Sequence, residues 1–185
     1  MALNKLFSTV KKFRDDTRGV VAVEAVIMMP ILFWAFMAMA VFFDMYRARS
    51  TTEKAAFTIS DILSRETAAV DMDYLNSTHD LYDSMSSLDS VGELRVSVVA
   101  MDPDDNSYFL DWSHMTGLQD HGLTDADLIA LEDHLPILVE GERLIVVETF
   151  GDYTPPIDVG VGTISMGTFV FTRPRFAPQL AWDDA

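Results

Sequence analysis

The sequence predicts an α+β protein in which a long apolar N-terminal helix continues into a stem that packs on a small antiparallel sheet. Three observations predict this class. A run of apolar residues lies near the N-terminus, helical periodicity follows it, and segments of alternating apolar and polar residues occupy the second half of the chain. The 185 residues leave room for one ordinary domain beyond the apolar run, since domains usually contain roughly 100–200 residues.

The apolar run is long enough to cross a membrane. Residues 25–43 contain no charged side chain, and residues 20–24 extend the run beyond the roughly 20 residues that span a hydrocarbon core of about 30 Å. We therefore predict a leader at 1–19, a transmembrane helix at 20–43 and one exported domain at 44–185.

Charge is distributed unevenly on the two sides of this run. The leader carries five basic and two acidic residues, whereas the rest of the chain carries eight basic and 27 acidic residues. Basic flanks of membrane helices stay in the cytoplasm, so the leader is predicted to lie inside and to orient the helix through Lys11, Lys12, Arg14 and Arg18. The acidic remainder repels nucleic acid, which we exclude as a partner.

A soluble core helix and a cleaved secretory signal both fit the apolar run less well than a membrane span does. A core helix of a soluble protein is rarely apolar over so long a stretch of so short a chain. A secretory signal could end at Ala38-Met39-Ala40, but its apolar part would exceed the usual length of about 7–15 residues. The absence of cysteine excludes disulfides and thiol chemistry but does not identify the compartment.

Glu24 is unexpected inside the membrane block. A carboxylate at the centre of a spanning helix costs about 2.5–3.5 kcal/mol, and less near the helix end. Cleavage between Gly19 and Val20 would create an ammonium with a pKa near 8, which could pair with Glu24 on the same helix or on a neighbouring one. Alternatively, Glu24 lies at the head-group boundary and is protonated or paired with Arg18.

Two parts of the chain resemble a known family. Residues 18–24 read Arg-Gly-Val-Val-Ala-Val-Glu and precede apolar residues and Pro30, which resembles the class III signal of type IV-type prepilins. The longer pattern from Phe13 to Pro30 is similar to the TadE/TadG-like proteins of tight-adherence (Tad, Flp-type) pilus systems. Residues 146–155 and 172–176 resemble the closing segments of that family.

This resemblance implies a pilin-like fold and a role as a minor pilin or pseudopilin of the bacterial inner membrane, with the domain 44–185 in the periplasm. Its partners would be other pilin subunits, the pilus assembly machinery and a prepilin peptidase that cuts between Gly19 and Val20, and no cofactor is implied. Glu24 would set the register by pairing with the N-terminal ammonium of a neighbour.

Two features separate the chain from other members of such systems. Major Flp pilins are far shorter and usually have an aromatic residue where this chain has Ala25. The larger TadG-type proteins carry a von Willebrand-like metal-binding domain, for which 185 residues leave too little room. The TadE-like minor class therefore fits best, and whether the leader is removed stays open.

Sequence periodicity predicts the remaining elements. A stem helix should continue to Ser64, because apolar residues recur at helical spacing and no glycine or proline interrupts residues 31–91. From Val20 this helix would measure about 67 Å. A second helix at about 71–87 should bury Met72, Leu75, Tyr82 and Met85.

The second half of the chain should form four strands and one short helix. Strands at 94–100 and 108–113 flank a turn at 102–106, and further strands are predicted at 143–150 and about 161–172, with a bend at 152–156. Between the two pairs of strands, Thr124 should cap a short helix that Pro136 ends. Leu123, just before the helix, should pack against Leu128 within it.

Catalytic and metal-binding patterns are weak. Asp102, Asp104 and Asn106 match the first half of a calcium loop, but the required glycine and the terminal glutamate are replaced by Ser107 and Ser113. The four histidines have no metal-ligand spacing, and most are expected on the surface or in turns. The sequence therefore favours a non-enzymatic interaction protein; the alternative is an uncleaved, membrane-anchored periplasmic module that binds a basic partner.

Overall fold

The computed structural model describes residues 18–86, 88, 92–102, 104, 107–117 and 121–184. Its contacts divide the chain into two compact units, of which the first ends at Phe42 and the second is Phe43–Ala185. The following elements occur in chain order: α1 (Arg18–Arg65), α2 (Met72–Met85), β1 (Glu93–Met101), β2 (Tyr108–Thr116), α3 (Asp125–Leu131), a 3-10 turn (Glu132–His134), β3 (Arg143–Tyr153) and β4 (Ile164–Thr172). We call residues 43–65 of α1 the stem.

The four strands form one antiparallel sheet in the order β2-β1-β3-β4. The predicted α+β class, with a long apolar N-terminal helix and a small antiparallel sheet, is confirmed. β1 and β2 form the predicted hairpin, and part of the turn between them, including Asn106, lies outside the described residues.

The larger apolar core lies between one face of the sheet and the helices. It combines side chains from the stem, α2, β1, β3 and the C-terminal segment, and its fully buried members include Ile59, Leu63, Leu75, Tyr82, Val96, Val98, Val147 and Leu180. The helical stripe of the stem therefore packs on the sheet, as the spacing of its apolar residues predicts.

A second apolar cluster covers the opposite face of the sheet. It contains Val99, Leu144 and Val146 from the strands, together with four leucines of the segment between β2 and β3, which are Leu123, Leu128, Leu135 and Leu138. The sheet therefore packs against apolar side chains on both faces.

The short helix α3 begins as predicted. Thr124 accepts a hydrogen bond from the Asp127 amide, while Asp127 accepts one from the Thr124 amide, so that the two residues form a capping box. Thr124 also holds the pKa of the Asp127 carboxyl below its usual value by donating its hydroxyl to it. Leu123 and Leu128 lie in the same cluster, as expected for a hydrophobic staple.

Several details of the prediction were wrong. Met72 is 36% exposed, because it occupies the first position of α2 and lies outside the buried stripe of Leu75, Thr78, His79 and Tyr82. β3 continues to Tyr153, since Asp152 and Tyr153 pair with Ser165 and Ile164. The bend therefore starts after Tyr153 rather than at Asp152, and β4 begins at Ile164 rather than near residue 161.

The C-terminal segment is fixed to the connection between α1 and α2. The Val70 amide donates to the Ala181 carbonyl at 2.9 Å, and the Asp183 amide donates to the Val70 carbonyl at 2.9 Å. The Trp112 indole donates to the Leu180 carbonyl at 2.9 Å, and its ring centroid lies 5.1 Å from that of Trp182. These bonds connect the chain end to β2 and to the segment that precedes α2.

Glu66 organises the turn between the two helices. Its Oε1 accepts from the amides of Thr67 and Ala68 at 3.0 and 3.3 Å, and its Oε2 accepts from the Tyr74 hydroxyl at 3.2 Å. The hydrogen bonds that the backbone amides of Ala68 and Thr67 donate to it lower the pKa of the Glu66 carboxyl. Burial, reinforced by the negative charge of Glu66, raises the pKa of Tyr74 to about 12.

We expect this turn to make the free energy of unfolding fall as the pH rises in the alkaline range. Because its pKa is raised in the folded state, Tyr74 contributes stability that is complete below its ordinary pKa of 10.0 and is lost as the pH rises towards about 12. Glu66→Gln should lower the pKa of Tyr74 part of the way towards 10.0. The check is a tyrosinate absorbance titration from which the signal of Tyr74→Phe is subtracted, and an unchanged Tyr74 midpoint in Glu66→Gln would contradict it.

Candidate functional site

The first unit presents an exposed apolar helix surface. One helix among the described residues, Gly19–Arg65, is long and apolar enough to cross a membrane, and only 6% of its most apolar 18-residue window is buried. Nearly all large apolar side chains from Val20 to Phe43 are exposed, among them Phe33, Trp34 and Phe36. A surface of this kind requires lipid or protein around it, because water does not stabilise a contiguous apolar patch of such extent.

Gly19 and Val20 lie in the first turn of α1, which starts at Arg18. No described atom lies within 4 Å of a Cβ atom added to Gly19, and Val20 is exposed. Within the part of the chain that the structure describes, the Gly19–Val20 peptide bond is therefore not crowded.

Glu24 follows Val20 by four residues, so the two lie one helical turn apart on the same side of α1. The side chain of Glu24 is exposed, and none of the ion pairs between described residues includes it. The backbone nitrogen of Val20 lies in the helical turn that precedes Glu24. A cation formed at that nitrogen would lie about 6 Å from Glu24 along the helix axis.

The basic residues that the charge pattern assigns to membrane orientation lie at or before the start of α1. Lys11, Lys12 and Arg14 are outside the described residues, and Arg18 is the first residue of α1. Their role in orientation stays a prediction from the charge pattern.

At the other end of the apolar run, Asp44 is the first charged residue. The Tyr153 hydroxyl donates to Asp44 Oδ2 at 2.8 Å, and Tyr153 is buried in a small cluster with Ala48 and Met166. Tyr153 belongs to the first closing segment that resembles the TadE/TadG-like family. Within the second unit, this segment joins the end of β3 to the beginning of the stem, a contact that the sequence alone did not reveal.

The second closing segment contacts the other end of the stem. The Arg175 amide donates to the Ser64 carbonyl at 2.7 Å, and the Arg175 guanidinium lies 3.2 Å from the Asp61 carboxylate. The backbone bond satisfies one of the carbonyls that the end of a helix leaves without a partner. Exposed ion pairs of this kind contribute roughly 0–1 kcal/mol, so the backbone bond is the more specific part of the contact.

The two segments that carry the resemblance therefore share one structural role. They fasten the sheet to the two ends of the stem, at Asp44 and at Ser64. Glu148, also within the first segment, pairs with Arg95 across β3 and β1, with two N–O distances of 2.7 Å. These contacts join β3 to the stem, the segment after β4 to the stem, and β3 to β1, so their role is to hold the fold together.

Two of the four histidines, His121 and His134, are exposed in a loop and in the 3-10 turn, as predicted, and the other two are not. His79 is buried, and its Nε2 lies 2.6 Å from the Gly92 carbonyl oxygen, which connects α2 to the start of β1. His114 is half-buried and stacks on Trp182 with ring centroids 3.7 Å apart. The expectation of surface or turn positions was therefore wrong for these two. Among the described residues, no group of three or more histidine or carboxylate side chains could hold a metal ion.

Comparisons of this chain with protein-family models, with curated proteins and with solved structures gave no match.

Proposed function

We propose that this protein is a TadE-like minor pilin or pseudopilin of a tight-adherence (Tad/Flp) pilus system. It inserts into the bacterial inner membrane by residues 20–43, with the leader in the cytoplasm and residues 44–185 in the periplasm. A prepilin peptidase cuts between Gly19 and Val20. The mature helix then joins other pilin subunits and the assembly machinery.

One observation carries this proposal. Glu24 is a carboxylate on an exposed apolar helix, without a cationic partner among the described side chains, one turn from an uncrowded Gly19–Val20 bond. Cleavage of that bond supplies the missing cation, and in an assembly the cation of one subunit pairs with Glu24 of the next. An isolated carboxylate in the hydrocarbon costs more than a paired one, so pairing favours association.

The alternative function assigns no role to the Gly19–Val20 bond. An uncleaved anchor would keep its leader, and Glu24 would then rest at the membrane boundary as a tolerated residue. The two functions therefore differ in the N-terminal residue of the mature chain and in the effect of changing Glu24.

The first experiment determines the N-terminal residue and the intact mass of the protein recovered from membranes of its native host. A chain that begins at Val20, especially with an N-methyl group, supports the proposal. A chain that retains residues 1–19 contradicts cleavage, and one that begins at Val41 indicates a secretory signal instead.

We also expect Glu24→Ala to abolish or strongly reduce co-purification with the other pilus components, while leaving membrane insertion intact. The change removes the partner of the N-terminal ammonium but makes the helix more apolar, which favours insertion. The measurement compares sedimentation with membranes and recovery in sheared pilus fractions. Glu24→Asp keeps the charge on a shorter side chain and should retain part of the assembly. Met28→Ala, one turn further along α1, is the matched control, because it shortens a side chain on the same helix without removing a charge. Normal assembly of Glu24→Ala would refute the register role.

A further inference from the structure

The edge strand β4 lacks the features that usually protect a sheet edge. Edge strands are commonly interrupted by charged residues, prolines or bulges, or covered by other elements, because their free amide and carbonyl groups can pair with another chain. β4 has the sequence Ile-Ser-Met-Gly-Thr-Phe-Val-Phe-Thr, without charge or proline, and it pairs with β3 in continuous register over nine residues. Its outer side is the end of the sheet in the described part of the chain.

The opposite edge, formed by β2, is protected. The register between β1 and β2 shifts between Val98 and Val99. Residues 122 and 123 also pack closely on β2 at Ser113: the Leu123 amide donates to Ser113 Oγ at 2.7 Å, and a Cβ atom on Gly122 would overlap the Ser113 carbonyl oxygen. The two edges of one sheet therefore differ, and of the two, β4 is the one left without such cover in the described part of the chain.

A groove of about 380 Å³ follows the uncovered edge. One wall consists of the consecutive residues Ile164–Thr168, and the other consists of Met45, Tyr46, Arg49 and Thr52 from the stem. A groove on one face of a strand would be lined by alternate residues only. Since five consecutive residues line this groove, it lies along the hydrogen-bonding edge of β4. Its volume is in the range of about 300–1,000 Å³ that is usual for binding sites.

Charge indicates which kind of partner fits. Residues 43–185 contain eight basic and 26 acidic residues. Six of the eight basic residues are already paired with carboxylates within the domain, namely Arg49, Arg65, Arg95, Arg143, Arg173 and Arg175. The remaining excess of negative charge attracts a basic partner and repels a second copy of the same domain.

We propose that β4 accepts an extended segment of a basic partner protein as a fifth strand of the sheet. The segment lies in the groove between β4 and the stem, and its backbone pairs with the outer edge of Ile164–Thr172. The net negative charge of residues 43–185 attracts its basic residues, and the one charged residue that lines the groove, Arg49, is already paired with Glu53. Main-chain pairing supplies affinity and the side-chain contacts supply specificity, as in other cases of strand addition. This inference goes beyond the proposed function and does not require cleavage of the leader.

The test uses the full chain in zwitterionic detergent micelles and a synthetic peptide of alternating valine and threonine flanked by pairs of lysines. A peptide with glutamates in place of the lysines is the charge control. Binding is measured by fluorescence anisotropy, and hydrogen exchange followed by mass spectrometry reports on the β4 amides. We expect the lysine peptide to bind more tightly than the glutamate peptide and to slow exchange within residues 164–172.

Substitutions at the exposed Ser165 separate pairing at the edge from general attraction to the acidic domain. Ser165→Lys should weaken binding of the lysine peptide roughly two- to fivefold, and Ser165→Glu should strengthen it by a similar factor. Ser77→Lys makes the same charge change at an exposed position of α2 that does not line the groove, and it should have a smaller effect.

Three outcomes would overturn the proposal. The first is unchanged exchange of the β4 amides at saturating lysine peptide. The second is equal weakening by Ser165→Lys and Ser77→Lys, which would indicate surface attraction only. The third is tighter binding of a peptide that copies residues 164–172, together with dimers of the full chain, which would assign the edge to a second copy. Each outcome can occur whether or not the chain is cut at Gly19, so that failure here leaves the proposed function standing.

Discussion

Replacing Arg95 with alanine should lower the free energy of unfolding by about 3–5 kcal/mol. The Glu148 side chain is 8% exposed and the Arg95 side chain 18% exposed, and the two form a bidentate ion pair between directly opposed positions of β1 and β3. Removal of the guanidinium leaves a buried carboxylate without its cation. The change also removes the contact of Arg95 with the Phe150 ring, whose centroid lies 5.1 Å from the guanidinium carbon.

The measurement is equilibrium unfolding of the full chain in urea, followed by tryptophan fluorescence from Trp112 and Trp182, which lie close together in the second unit. The double variant Arg95→Met with Glu148→Leu is the matched control, because it removes both charges and keeps the apolar volume. We expect it to be much closer in stability to the unchanged protein than Arg95→Ala is. A loss below about 1 kcal/mol for Arg95→Ala would be typical of a surface pair and would contradict the buried-pair interpretation.

Replacing Ile59 with alanine should cost about 2–5 kcal/mol. Ile59 is 0% exposed and lies where the stem packs on α2 and on the sheet. The loss combines the transfer free energy of the deleted methyl and methylene groups with the cavity that remains, since the stem, α2 and the sheet surround the site and limit how far it can collapse. The same urea unfolding experiment measures the change.

Phe57→Ala is the control for Ile59→Ala. Phe57 lies two residues away on the same helix, is the larger side chain and is 62% exposed. If burial against the sheet determines stability, its replacement should change the free energy of unfolding by less than about 0.5 kcal/mol. Equal losses for the two variants would mean that helix propensity, rather than packing of the stem, governs the result.

Local signals in the sequence predicted those elements whose cause is local. Thr124 caps α3 and Leu123 packs with Leu128, because a capping box and a staple depend on residues within one turn of the helix start. The long helix was predicted because apolar residues recur at its period without interruption. Boundaries set by partners across the sheet were missed: β3 extends to Tyr153 only because Ser165 and Ile164 are there to pair with its end.

The candidate site was only partly predictable for the same reason. Gly19, Val20 and Glu24 are close in sequence, so their spacing on one helix follows from the pattern itself. Asp44 and Tyr153 are separated by 109 positions, and no local signal connects them. The groove beside β4 likewise depends on how the stem lies against the sheet.

The α+β class, the apolar helix, the uneven charge and the Gly19–Glu24 spacing all follow from the order of neighbouring residues, and the chain specifies them before it folds. The burial of both faces of the sheet, the pairing of Arg95 with Glu148 and the position of β4 as the uncovered edge beside the stem are established only in the folded molecule. These features arise from contacts between distant segments, and periodicity along the chain indicates which face of a strand is apolar but not what covers that face.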